Sequence, residues 1–199
     1  MVITRARLLR VSPPPQMLFT LFVISGVLPL LGLLKKPAGW MLCLYSIYVA
    51  AYAWKGIPWR KAFSSWPIWA AGVASAIVVG ALTETLAWLQ NYGEGFKNRG
   101  ALFSPHLLQD IAVGWGYYLV LVVAYLALTK FYSFSAAKSF LVYGFCGIFL
   151  EQRGAVAKAA FSAGPVGLAM IAYLFVVHGS IMGLIVLPLE KRRRTAGNG

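Results

Sequence analysis

The stretch Trp66–Leu89 reads WPIWAAGVASAIVVGALTETLAWL and contains one charged residue, Glu84, in 24 positions. A run of roughly 18 or more apolar residues with few charges is typical of a transmembrane helix, because about 20 helical residues cross the hydrocarbon core of a bilayer. A helix that is apolar all round is buried either in lipid or in the core of a large protein. This stretch therefore predicts a membrane-spanning helix.

The composition of the whole chain supports the same interpretation. The chain has 199 residues, of which 60% are hydrophobic and 12% charged, and its mean hydropathy is +0.73. Soluble domains carry about 25% charged residues, and a chain of this size has too little interior to hide so much apolar surface. We therefore predict an all-α, polytopic membrane helix bundle, with residues 1–199 forming one transmembrane domain.

Six apolar runs divide the chain. We predict spans over residues 16–34, 39–54, 66–89, 106–129, 131–150 and 165–189. The apolar run Phe140–Leu150 is too short to cross a bilayer alone. The fifth span is therefore extended back through Phe131, with the Lys138 side chain reaching toward the interface.

The basic residues predict the orientation. Lys and Arg number 12 on the side that holds both termini and 6 on the other side, and the richer side is expected to be cytoplasmic. We expect a multi-pass protein of the cell membrane with both termini inside. The tail Lys191–Arg194 should bind anionic headgroups. The net charge of +13 is explained in this way, without a nucleic-acid partner.

No sequence pattern identifies a cofactor. Cys43 and Cys146 lie in separate apolar runs, and their spacing is not that of a zinc site or a disulfide framework. The loop Asn91–Phe96 is glycine-rich but matches neither the Walker pattern nor the dinucleotide fingerprint. We predict no metal site, and the cofactor stays unknown.

Glu84 is the most informative of the five acidic residues. It stands five residues before the end of the third span, about 7 Å deep at the helical rise. Gly72, Ala76, Gly80 and Glu84 follow at steps of four, and small residues on one helix face allow close helix packing. Glu84 should face the bundle, as a catalytic residue or as a structural carboxyl bonded to Thr83, Thr85 or an indole.

A second polar face opens the fourth span. His106, Asp110, Gly114 and Tyr118 recur at steps of four. Asp110 is a candidate catalytic residue that His106 could join in holding a proton or a metal. The alternative is an aspartate favoured by the helix dipole. His106, Tyr117 and Tyr118 are candidate substrate-binding residues.

Two further residues are candidates for catalysis. Glu151 ends the fifth span, two residues before Arg153, and the alternative is an interfacial ion pair of little energetic value. His178 lies midway through the sixth span and could relay a proton. Its alternative role is packing, since Gly179 and Gly183 form a small-residue pair beside it.

The segment from Glu84 through Arg99 to Asp110 resembles in outline the VanZ-like membrane family. In that family, a glutamate on one span precedes an arginine and then an aspartate that opens the next span. The asparagine expected after the aspartate is absent, with Gly114 near that position. The resemblance implies no activity for this chain.

Three functions fit these observations. The first is a membrane-embedded enzyme acting on a lipid-like or isoprenoid substrate, with Glu84, Asp110 and Glu151 around one outward-facing cavity, where dry carboxyl groups suit acid–base chemistry. The second is a non-catalytic subunit, in a homo- or hetero-oligomer formed through the small-residue helix faces. The third is a small proton-coupled transporter, although the chain shows no inverted repeat.

Overall fold

The computed structural model describes residues 15–33, 39–54, 57–96, 102–132, 134–150 and 154–190. Within these ranges the α-helices are α1 Pro15–Leu33, α2 Leu42–Ala53, α3 Ile68–Gly93, α4 Leu107–Leu128, α5 Ala136–Leu150, α6 Ala155–Ser162 and α7 Gly164–Val186. Short 3-10 helices occupy Pro58–Lys61 and Leu187–Leu189. No strand occurs in the described part of the chain, so the predicted all-α class is confirmed.

Three helices in these ranges are long and apolar enough to cross a membrane: Ile68–Gly93, Leu107–Leu128 and Gly164–Leu189. They correspond to the predicted third, fourth and sixth spans. The shorter apolar helical stretches Gln16–Val27, Leu42–Ala53 and Ala136–Phe149 correspond to the other three. Length and composition thus support a helical membrane protein, while the count of six spans and the location of the termini stay predictions.

The structure differs from the predicted fifth span at its start. α5 begins at Ala136, and Phe131 and Phe134 lie outside any helix. Ser135 precedes the helix, and its Oγ accepts a 3.2 Å hydrogen bond from the backbone N–H of Lys138. A serine that satisfies an otherwise unpaired N–H in this way is a strong helix start. The short helix α6 is a further difference, because the sequence analysis did not predict it.

α3 and α4 pack antiparallel along the row of small residues that precedes Glu84. A Cβ at Gly72 would lie 2.9 Å from Cγ1 of Val122, and one at Gly80 would lie 2.5 Å from Cδ2 of Tyr118. Such close approach is possible only because these positions lack a side chain. Glu84 lies one turn beyond Gly80 and therefore faces α4, inside the bundle.

α7 packs against four other helices, α2, α3, α5 and α6. A Cβ at Gly179 would lie 2.7 Å from the carbonyl oxygen of Phe140 on α5, and one at Gly183 would lie 2.4 Å from Cε2 of Tyr48 on α2. The small-residue pair predicted on this helix is therefore occupied by contacts within the chain. An oligomer that uses such faces stays a prediction.

A polar cluster joins three helices at the end of the bundle opposite Glu84. Arg60 donates hydrogen bonds to the carbonyl oxygens of Ala51 (Nε, 3.1 Å) and Tyr52 (Nη2, 2.8 Å) at the end of α2. Its guanidinium lies 3.9 Å from Oε2 of Glu190, and Oε1 of Glu190 accepts the backbone N–H of Ala136 at 2.5 Å. The cluster links the end of α2 to the beginning of α5. Arg60 supplies donors to carbonyls at the C-terminal end of α2, and Glu190 supplies an acceptor for an N–H at the N-terminal end of α5. These are the backbone groups that helix ends leave unpaired.

Several predictions concern residues outside the described ranges. Glu151, Arg153 and the basic tail Lys191–Arg194 are among them. The proposed catalytic role of Glu151 and the binding of headgroups by the tail therefore stay predictions.

Candidate functional site

Glu84 is enclosed at the interface between α3 and α4, with 5% of its surface exposed. Its Oε1 accepts a 2.5 Å hydrogen bond from the hydroxyl of Tyr118. Gly114 leaves room for the carboxyl, since a Cβ there would lie 2.9 Å from Cγ of Glu84. Thr83 and Thr85, two partners considered from the sequence, donate instead to carbonyls of their own helix.

Asp110 lies in the first turn of α4 and is fully buried. Its Oδ1 accepts hydrogen bonds from the backbone N–H groups of Phe103 at 2.7 Å and Ser104 at 2.9 Å. These bonds hold the connection before α4 against the helix.

The carboxyl groups of Glu84 and Asp110 lie close enough to interact electrostatically across the interface of α3 and α4. Oδ2 of Asp110 is buried and has no hydrogen-bond partner in the described part of the protein. Two carboxylates in contact away from water repel each other strongly, so such a pair retains one shared proton.

His106 does not enter this pair. Its side chain is exposed at the start of α4, whereas the Asp110 carboxyl is buried. Its backbone N–H donates to Oγ of Ser104 at 3.2 Å, and its carbonyl accepts the N–H of Asp110 at 2.9 Å. In this structure His106 thus acts through its backbone as part of the turn that begins α4.

Tyr117 and Tyr118 are adjacent in sequence but belong to different contacts. Tyr118 is buried against Glu84, whereas Tyr117 is partly exposed and its hydroxyl is hydrogen-bonded to that of Tyr143 on α5. The bond between Tyr117 and Tyr143 connects α4 to α5. The hydroxyl of Tyr118 is the one that is hydrogen-bonded to Glu84.

His178 lies at a separate place, between α7 and α5. Its Nδ1 is 3.0 Å from the carbonyl oxygen of Leu174 on its own helix. A Cβ at Gly147 would lie 2.3 Å from Cγ of His178, and the ring centre of Tyr143 is 6.0 Å away. These contacts with Leu174, Gly147 and Tyr143 pack His178 into the interface of α5 and α7.

The sequence analysis missed the backbone partners of Asp110. Ser104-Pro105 directly before an apolar helix is a recognisable helix-start pattern, and it could have suggested that an acid in the first turn would bind that connection. Oγ of Ser104 also donates to Oε1 of Gln109 at 2.9 Å. A second connection at this end is the bond from the indole of Trp88 to the carbonyl of Pro105, at 2.9 Å.

No family model, curated protein or solved structure matches this chain.

Proposed function

We propose that this protein is a multi-pass membrane enzyme that acts on a lipid-like or isoprenoid substrate, with Glu84 and Asp110 as its acid–base pair. The observation that carries the proposal is the proximity of two buried carboxyl groups, Glu84 and Asp110, inside a helix bundle. Ionisable groups within membrane helices are costly and are functional by default. Three helices of membrane-spanning length support the lipid environment that the proposal requires.

The pair is suited to moving a proton. Glu84 holds the proton that the two carboxyls share and serves as the general acid, while Asp110 serves as the base. Tyr118 positions Glu84 through its 2.5 Å hydrogen bond. Both carboxyls are buried, so the proposal requires the connection at residues 102–105 to move before a substrate reaches them.

A non-catalytic role is the second candidate, and a specific observation favours it. Both N–H donors on Asp110 come from the connection before α4. In this case the carboxyl pair acts as a latch that holds the connection against the bundle. A neutral residue that preserves the hydrogen bonds would then serve equally well.

Replacing Glu84 with glutamine separates the two functions. Cells that express wild-type protein or Glu84→Gln are compared by untargeted mass spectrometry of their membrane lipids, with Glu94→Gln as a control in the loop after α3. If the pair is catalytic, the abundance of a lipid species changes in cells that express wild type or Glu94→Gln but not in cells that express Glu84→Gln. A folded Glu84→Gln protein that changes the same species as wild type would overturn the catalytic role in favour of the latch.

A further inference from the structure

A groove lies between α4 and α5 on the side of the bundle. Its volume is about 110 Å³, so it can take part of one narrow chain but not a whole lipid. The residues that line it are Leu121, Ala124, Tyr125, Leu128, Phe134, Ser139, Val142, Tyr143 and Met182. The hydroxyl bond between Tyr117 and Tyr143 connects the two helices beyond one end of the groove.

The groove opens toward the medium around the bundle. Leu128 and Val142 line it and are each about half exposed, and Val120 and Val123 on the neighbouring surface of α4 are more exposed still. An apolar surface of this kind faces lipid rather than water in a membrane protein. Hydrocarbon can therefore enter the groove from the side.

The other end of the groove carries a polar group without a partner. Ser139 lies in the first turn of α5 and is 5% exposed, and its Oγ has no hydrogen-bond partner in the described part of the chain. Rotation about χ1 moves Oγ among three staggered positions, so a carbonyl in the groove can accept its proton. Lys130 is exposed two residues beyond Leu128 at the same end, where it favours an anionic headgroup.

We propose that this groove binds one acyl chain of an anionic glycerophospholipid, with the ester carbonyl at Ser139 and the chain running toward Tyr143. The lining supplies the apolar contact for the chain, Ser139 the single directional bond, and Lys130 the charge complement. The proposal depends on the membrane assignment but not on the acid–base role of Glu84.

Photo-crosslinking tests the occupant. The full-length protein is reconstituted in vesicles that contain phosphatidylglycerol with a diazirine in one acyl chain, and labelled peptides are mapped by mass spectrometry. We expect labels to concentrate on residues 121–128 and 139–143. Ala124→Trp, which fills the groove, should lower this labelling by about tenfold or more, whereas Ala127→Trp, an exposed alanine outside the lining, should not.

A second variant tests the polar contact with little risk to folding. Wild type should prefer ester-linked over ether-linked phosphatidylglycerol, because only the ester provides a carbonyl, and Ser139→Ala should remove that preference. Uniform labelling around the bundle, or labelling that Ala124→Trp leaves unchanged, would overturn the groove as a binding site. Labelling by a diazirine-bearing polyprenyl phosphate but not by the phospholipid would overturn the assigned occupant.

Discussion

The hydroxyl of Tyr118 donates a 2.5 Å hydrogen bond to Oε1 of Glu84 across the interface of α3 and α4. The bond is possible because Gly80 and Gly114 let the two helices approach closely. The same carboxyl group interacts electrostatically with Asp110. The carboxyl pair is thus connected to helix packing on one side and to the connection before α4 on the other.

Substitution of Glu84 should show whether its hydrogen bonds stabilise the fold. Glutamine can still accept the hydrogen bond from Tyr118, so Glu84→Gln should change the free energy of unfolding by no more than about 1 kcal/mol. Glu84→Leu removes the acceptor of the buried Tyr118 hydroxyl, at a cost of about 1–3 kcal/mol. Thermal unfolding in detergent measures the difference, and a leucine variant as stable as the glutamine variant would contradict the assigned bonds.

Two glycines of α4 provide a matched test of the close packing. A Cβ at Gly114 would lie 2.9–3.0 Å from three atoms of Glu84, whereas one at Gly116 meets nothing within 4 Å. Gly114→Ala should therefore be destabilising by about 1–3 kcal/mol through overpacking. Gly116→Ala should be neutral or slightly stabilising, since alanine favours helix by about 0.5–1 kcal/mol over glycine. Equal Tm values for the two variants would show that the Glu84 side chain adjusts without cost.

Arg60 should be required for stability at the opposite end of the bundle. Its guanidinium donates to two carbonyls at the end of α2 and lies beside Glu190. A lysine cannot reproduce this planar set of donors. Both Arg60→Lys and Arg60→Ala should therefore lower Tm. The neighbouring Lys61 is exposed, and Lys61→Ala is expected to have little effect. A lysine variant with the wild-type Tm would show that the positive charge alone provides the stabilisation.

Cysteine labelling in intact cells tests the predicted orientation. Ser65 and Glu94 lie in the connections at the two ends of α3, and each is replaced by cysteine in a variant in which Cys43 and Cys146 are alanine. The positive-inside rule predicts that a membrane-impermeant maleimide labels Glu94→Cys from outside and labels Ser65→Cys only after permeabilisation. The reverse pattern would invert the topology.

The long apolar helices were predictable because their signal is local. A helix such as α3 forms its backbone hydrogen bonds within one segment of the chain. The apolar side chains between Trp66 and Leu89 are therefore enough to predict a helix with an apolar surface. The face that carries Gly72, Gly80 and Glu84 was also predictable, because helical periodicity places residues four apart side by side. The start of α5 was not, since Ser135 and the backbone contact of Ala136 with Glu190 decide it.

The sequence by itself determined a membrane-type helical protein with acids at a few helix ends. Only the tertiary structure decided which polar groups meet. Asp110 binds backbone N–H groups of Phe103 and Ser104, Tyr118 binds Glu84, and His178 packs against Gly147 instead of joining the carboxyls. The reason is physical: periodicity defines the face on which a side chain lies, but the angle and depth at which two helices pack determine its partner.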